Sequence, residues 1–509
     1  MPVRYAAMTT VETTLGTVAG LVRDDIHVFK GIPYAAPPVG LLRFRPPQPA
    51  APWTGTRDAA QYGPVAPQTA SPMEAMFGGP QPQQSEADCL TLNVFTPAPD
   101  GARRPVMVWI HGGAFVTGSG STPWYDGTSF ARNGDVVVVT INYRLGALGF
   151  LHLDELSESF AGSGSGNVGI LDQVAALEWV RDNAEAFGGD PNNVTAFGES
   201  AGAMSVGTLL GLPAAKGLFV KAIPQSGAAH HARPVDTATD MARRFLAEAG
   251  LTADADGVAK LQELPLDALI DAQATLLPKT AASGGLAFAP VVDGIVLPEA
   301  PIDAIGGGSA ADVAVLIGTT RDEMKLFGMM DPSLNDLDDA RMLRRAAAFL
   351  NDEKKAAGLI NAYKAARPGT PPAELWGAMS TDQVFRIPAV RLAERQSALG
   401  NSVYMYRFDW ATPVFGGVLG ACHALEIPFV FDNLGAAGSE MFTGPASDEM
   451  KAMARTMHTA WHTFARTGNP GDGWPRYEAS SRNVMRFDLQ SEVVADPDSA
   501  EREAWEGLL

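Results

Sequence analysis

Two kinds of apolar spacing alternate along this chain. Residues 106–110 and 136–141 are unbroken apolar runs, residues 90–95 alternate, and residues 193–197, 313–317 and 403–408 form further short blocks. These spacings predict strands, the unbroken runs being buried on both faces of a sheet. Residues 171–183 instead repeat at helical spacing, with Leu171, Val174 and Leu177 on one side and Ala175, Ala176 and Trp179 widening the apolar surface. Residues 201–210, small and apolar, predict a helix packed closely on a sheet, and residues 450–465 predict another helix. Strand, helix, strand, helix in this order implies right-handed crossovers and a mostly parallel sheet. At the N-terminal end, residues 13–35 carry strand-like runs broken by Gly16, Gly20 and Gly31, which predicts a hairpin, and the proline-rich residues 37–52 predict a surface wrap. Residues 236–274 and 336–366 are charged, alanine-rich and free of strand patterns, as expected of helical insertions over the ligand-binding end of a sheet. No internal repeat is present, and residues 161–166 predict a short flexible loop.

Composition narrows the function. A formal charge of −19 over 509 residues argues against nucleic acid and anionic membranes as partners. No stretch has the length and apolarity of a membrane span, and the first twenty residues lack a basic segment followed by an apolar one. Two cysteines, Cys89 and Cys422, are too few for a disulfide framework. The expectation is a cytoplasmic protein with reduced thiols.

The candidate chemistry centres on Gly198-Glu199-Ser200-Ala201-Gly202, between the predicted strand 193–197 and the predicted helix 201–210. A serine on a sharp strand-to-helix turn, with glycine two positions to either side, is the layout of a nucleophile elbow. A serine hydroxyl needs a base, and the base needs a third group to orient it. In folds with this elbow the partners follow in the order serine, acid, histidine. Of eight histidines, only His423, His458 and His462 lie late enough. His458 and His462, four apart, have metal-ligand spacing but lack the glutamate of the zinc pattern, and are expected to be ordinary helix-face residues. His423 follows the strand 403–408 and the glycine-rich residues 416–420. For the acid, Asp322 and Glu323 follow the strand 313–317 and a predicted Gly318-Thr319-Thr320 turn; Asp293, in a Val-Val-Asp-Gly string, predicts a hairpin turn instead. Spacing alone does not choose between Asp322 and Glu323. His111-Gly112-Gly113-Ala114-Phe115, directly after the strand 106–110, supplies small residues whose backbone N–H groups suit an oxyanion, with the Ala201 N–H as a further donor.

Together these pieces resemble the type B carboxylesterase family, the cholinesterase-like branch of the α/β-hydrolases. Family-like strings run in order along nearly the whole chain: Phe29 to Ala35, Leu42-Arg43-Phe44, Asp88-Cys89-Leu90, Trp109 to Phe115, Asn142 to Gly146, Gly169 to Gln173, Phe187 to Pro191 and Gln225-Ser226-Gly227. The resemblance implies an α/β-hydrolase fold over residues 1–509 as one domain: a mostly parallel central sheet, helices on both faces, and helical insertions over the active-site end at roughly 236–312 and 330–400. It implies Ser200, His423 and Glu323 as the triad, Gly113, Ala114 and Ala201 as the oxyanion hole, and Glu199 and Ser226 as residues bracing the triad. The substrate pocket it implies is lined by Phe115, Gly284, Leu286, Leu326 and Phe327.

Departures from the family qualify the substrate. Gly79 stands where cholinesterases carry a tryptophan that binds quaternary ammonium, with Phe77 the nearest aromatic, so choline esters are not expected. Gly284 and Leu286 replace acyl-pocket aromatics and imply a wider pocket. No cysteine precedes Cys89 to bridge it, as many secreted members do. Ala87 replaces a glutamate, which puts a family ion pair with Arg43 in doubt. The expected function is hydrolysis of small to medium, fairly apolar carboxylic esters through an acyl-enzyme, without metal or cofactor, by a monomer or homodimer. Two alternatives stand beside it: a silent binding or adhesion member, which would lack triad residues and carry a membrane segment, and amide, carbamate or lactone hydrolysis by the same groups.

Overall fold

The computed structural model describes residues 8–70, 82–281 and 285–509. Its strands, in chain order, are β1 Met8–Thr13, β2 Gly16–Arg23, β3 Ile26–Pro33, β4 Thr56–Asp58, β5 Thr91–Thr96, β6 Arg104–Ile110, β7 Val137–Ile141, β8 Gly189–Glu199, β9 Lys221–Gln225, β10 Arg233–Pro234, β11 Val291–Val292, β12 Ala314–Thr320, β13 Val403–Phe408, β14 Asn483–Phe487 and β15 Glu492–Ala495. Among the described residues, thirteen strands form one sheet, ordered β1-β2-β3-β5-β7-β6-β8-β9-β12-β13-β14-β15 with β4 beside β2. From β7 to β14 every pairing is parallel, and the antiparallel pairs lie at the two ends. The mostly parallel sheet of an α/β-hydrolase is therefore present.

Alternation along β6 shows why both faces must be covered. Val106, Val108 and Ile110 join one core with Ile170, Leu177 and Leu209, from the helices Val168–Asn183 and Ala201–Gly211; Met107 and Trp109 join a second core with Met457, Trp461 and Phe464 of the helix Asp448–Thr467. A strand buried on both faces reads as an unbroken apolar run, as residues 106–110 do.

Several sequence expectations need correction. The N-terminal hairpin is present as β2 and β3, but β1, from the residues before it, adds a third antiparallel strand. The elbow strand begins at Gly189 rather than at residue 193, because Arg104 pairs with Gly189 and a register shift carries the intervening residues as a bulge. Gly318-Thr319-Thr320 is the end of β12 and not a turn: it stays in register with Tyr406, Arg407 and Phe408 of β13. Val291 and Val292 pair in parallel with β10, so no hairpin forms at Asp293. Its carboxylate accepts the N–H groups of Ile295, Val296 and Leu297, each at 2.9 Å, and the Asn167 amide, a structural role in the loop.

Helices occupy both charged, alanine-rich segments. Val235–Glu248, Ala255–Glu263 and Leu266–Ala281 lie between β10 and β11, and Asp339–Leu350, Glu353–Ala366, Pro372–Thr381 and Ile387–Ala398 lie between β12 and β13. The second group builds a small core of its own around Met342, Leu359, Tyr363 and Leu375, with Trp505 from the C-terminal segment.

Two ion pairs, one buried and one partly buried, fasten loops to this frame. Arg144, in the loop after β7, meets Asp172 of the helix Val168–Asn183: its Nε and backbone N–H donate to Asp172 Oδ2 and its Nη2 to Oδ1, at 2.7–3.0 Å. Arg43 pairs with Glu86 in a two-pronged contact of 2.5 and 2.6 Å, and also donates to the Gln262 and Leu264 carbonyls. The doubt raised by Ala87 is thereby removed. Glu86, one residue earlier, supplies the carboxylate.

Candidate active site

The elbow is shaped by close backbone approach. β8 ends with Glu199 paired to Gln225 of β9, and the next residue turns into the helix Ala201–Gly211. A Cβ on Gly202 would lie 2.0 Å from the Ile110 carbonyl oxygen, and one on Gly198 2.5 Å from the same atom, so neither position admits a side chain. Ser200 between them has φ 57° and ψ −123°, a conformation costing a non-glycine residue about 1–3 kcal/mol. Its N–H donates to the Gln225 carbonyl at 2.9 Å, and its side chain is half-buried.

The acid and the histidine come from loops after β12 and β13. Glu323 is fully buried; its Oε1 accepts the Thr320 N–H at 2.8 Å, and its Oε2 lies 2.6 Å from His423 Nδ1. Asp322, which spacing left equivalent to Glu323, faces the other way. Its N–H donates to the Ala421 carbonyl, and its carboxylate accepts the Ala421 N–H, both at 2.9 Å, and it pairs with Arg321 and Lys325. Asp322 therefore straps down the loop that carries His423.

His423 Nε2 points into the elbow, 3.1 Å from Glu199 Oε1. Glu199 Oε2 and Ser200 Cβ each lie 3.0 Å from where a Cβ on Gly112 would sit, which puts the loop after β6, the serine and this carboxylate in one corner. The imidazole packs against Phe327 and Phe385, ring centres at 5.1 and 4.9 Å. Burial pulls its pKa down, but the carboxylates of Glu199, Glu323 and Glu426 more than offset this, and it is pushed up to about 9. Because this exceeds the unfolded value of about 6.5, the imidazolium contributes stability fully below pH ~6.5 and loses it as pH rises through about 9.

Behind the histidine lies a polar layer, part of which sequence reasoning missed. Gln225 Nε2 donates to Glu426 Oε1 at 3.2 Å, and Trp461 Nε1 donates to Gln225 Oε1 at 2.9 Å. Burial, reinforced by Glu323, pushes the Glu426 carboxyl up to about 7. Ser226 is fully buried at the end of β9, its N–H on the Gly318 carbonyl at 2.8 Å. Glu426 stands three residues after His423, a visible spacing; Phe385 sits in a one-turn π-helix, Asp382–Arg386, which no sequence pattern announces.

The loop after β6 is held in unusual backbone. Gly113, Ala114 and Phe115 have φ of 108°, 54° and 61°, and the Gly113 carbonyl accepts the N–H groups of Val116 and Thr117 at 3.0 Å. Ala201 is the first residue of its helix, so its N–H has no partner within that helix. Of the implied pocket residues, Phe115 is fully buried against Phe150, Leu286 is half-buried on the core, and Phe327 faces the histidine. Leu326 is buried in the core that holds Trp109 and Cys422. Gly284, Phe77 and Gly79 lie outside the described residues.

The remaining candidates are structural. His458 Nδ1 lies 2.9 Å from the Val430 carbonyl, its ring 4.1 Å from Phe130, and His462 packs at 5.4 Å from it. Among the described residues no group of three or more His, Cys, Asp or Glu side chains is placed to hold a metal ion. Cys89 and Cys422 are both buried and unpaired, and no described helix is long and apolar enough to cross a membrane.

Comparison with known proteins bears on the whole chain. Residues 7–505 match the Carboxylesterase family. The chain is 42% identical over 499 residues to the para-nitrobenzyl esterase of Bacillus subtilis, covering 97% of both proteins, and 39% identical to the phenmedipham hydrolase of Pseudarthrobacter oxydans, covering 95% and 96%. The crystal structure of the Geobacillus stearothermophilus carboxylesterase EST55 at pH 6.2 superposes with a TM-score of 0.88 at 46% identity, over 98% of this chain and 100% of that one. With elbow, sheet order and full-length similarity in agreement, the chain belongs to the carboxylesterase family and is a hydrolase of carboxylic esters.

Proposed function

We propose that Ser200 is the nucleophile, His423 its general base and Glu323 the group that orients the base, acting on small to medium, fairly apolar esters. The observation that carries this reading is the 2.6 Å contact between buried Glu323 and His423 beside the strained elbow of Ser200. The carboxylates of Glu199 and Glu323 beside it make His423 hold its proton more tightly than an ordinary histidine. Once it has lost the Nε2 proton, Nε2 takes the proton of Ser200 Oγ as Oγ bonds to the ester carbonyl carbon. The N–H groups of Gly113, Ala114 and Ala201 stabilise the negative oxygen. His423 returns the proton to the departing alkoxide, leaving an acyl-enzyme; water then repeats the cycle and releases the acid. Phe115, Leu286 and Phe327 form the apolar side of the acyl pocket, with Leu326 behind them. Two unpaired buried thiols support a cytoplasmic location.

The test is covalent. An organophosphate should add one phosphoryl group per chain by intact mass, and peptide mapping should find it on Ser200; stoichiometric inactivation with the label elsewhere overturns the assignment. Nitrophenyl esters of increasing chain length, run beside one amide, rank the pocket.

Glu199 gives a separate pH test. Only neutral imidazole can accept the serine proton, so the acid limb of kcat/KM should lie above the ordinary histidine value of about 6.5. Removing the Glu199 charge in Glu199→Gln withdraws one of the groups that raise the His423 pKa. The limb should move to lower pH by about one unit or more. An unmoved limb would show that Glu199 does not set the base.

A further inference from the structure

The oxyanion reading leaves open what aims the amide protons. In a trans peptide unit the carbonyl oxygen and the next residue's N–H point in opposite directions, so holding the oxygen fixes the N–H. The Gly113 carbonyl, whose peptide unit carries the Ala114 N–H, is held by the N–H groups of Val116 and Thr117, and the Ala201 N–H is fixed by its helix. The Gly112 carbonyl, whose unit carries the Gly113 N–H, has a different partner. His111 Nδ1 lies 2.8 Å from it.

The surroundings decide which nitrogen of His111 bears the proton. The ring is buried, and its Nε2 has no hydrogen-bond partner among the described residues. With the proton on Nε2, a buried donor would go unsatisfied and two lone pairs would face each other across 2.8 Å. With the proton on Nδ1, a good hydrogen bond forms and only an acceptor is left bare, the cheaper omission. Burial also pulls the pKa down to about 4, so the ring stays neutral at working pH. Tyr143 fixes its plane, stacking at 4.5 Å and donating its hydroxyl to the His111 carbonyl at 2.9 Å. On the other side Gly118, at φ 109°, leaves no room: a Cβ there would lie 2.5 Å from both the Gly112 oxygen and His111 Nδ1.

We propose that His111 is a positioning residue of the oxyanion hole, its Nδ1–H holding the Gly112 carbonyl so that the Gly113 N–H faces the substrate oxygen. The proposal rests on the oxyanion assignment made above. His111→Phe keeps a ring to stack on Tyr143 but has no donor, whereas His111→Asn keeps an N–H the same number of bonds from the backbone as Nδ1. In His111→Phe, kcat should fall by roughly 10- to 100-fold with KM within about threefold, and His111→Asn should recover most of the loss.

A matched pair of inhibitors, a trifluoromethyl ketone and its methyl ketone, separates the possible failures. The wild-type preference for the trifluoromethyl ketone, which forms the tetrahedral oxyanion, should shrink in His111→Phe in step with kcat. A wild type without that preference sinks the oxyanion assignment and this proposal together. A full preference retained in His111→Phe, or His111→Asn as impaired as His111→Phe at equal thermal midpoint, sinks the proposal alone. Should His111→Phe not fold, neutron diffraction of the wild-type protein decides: deuterium on Nδ1 directed at the Gly112 oxygen supports it, and deuterium on Nε2 overturns it.

Discussion

Ser200→Ala is expected to lower kcat by roughly 10⁴- to 10⁶-fold while the thermal midpoint stays within a few degrees of wild type. The two expectations come from different parts of the site. In the proposed mechanism the reaction depends on one oxygen, because no other hydroxyl follows the elbow strand at this turn, and the amide donors alone would supply only the residual rate. The fold does not depend on it: the half-buried side chain loses a single atom, and alanine meets the same backbone strain at φ 57° as serine does. Turnover of a nitrophenyl ester and a melting curve on the same preparation suffice. Activity within tenfold of wild type would remove Ser200 from the mechanism, and with it the role given to His423.

The largest effect on stability is expected at Asp172. Its carboxylate and the Arg144 guanidinium are almost fully shielded from water, and three donors of Arg144 converge on it. Asp172→Ala leaves a buried cation without a counter-charge, a loss of about 3–5 kcal/mol in unfolding free energy. Replacing both residues by apolar ones of similar volume should cost far less than the two single changes added together, since two charges that no longer need pairing are no longer buried. Urea unfolding of the two single variants and the double variant measures this. Additive losses would mean that each residue acts through packing and not through the pair.

The parts legible in the sequence were those whose physics is local. A strand buried on both faces reads as an apolar run, so β6 and β7 stood out; an elbow needs small residues at fixed offsets, so Ser200 did too. What depended on distant neighbours did not stand out. Gly318-Thr319-Thr320 has turn composition, yet pairing with β13 holds it extended. Asp322 and Glu323 are adjacent and chemically alike, and only the direction in which the backbone presents each one separates a strap for the loop from a partner for the imidazole. Arg43 found its carboxylate one position away from the expected one because the ion pair needs a reachable oxygen and not a register. The proposed acyl pocket stayed least legible, since Phe115, Leu286 and Phe327 come from three distant segments that no periodicity ties together.

The sheet order has a consequence for how the protein is made. The neighbouring strands β9, β12 and β13 are far apart in the chain, separated by the helical insertions. A nascent polypeptide emerging from the ribosome displays its serine long before the segment carrying the imidazole has been translated. On the proposed triad, Ser200 lacks its base until β13 has docked beside β12.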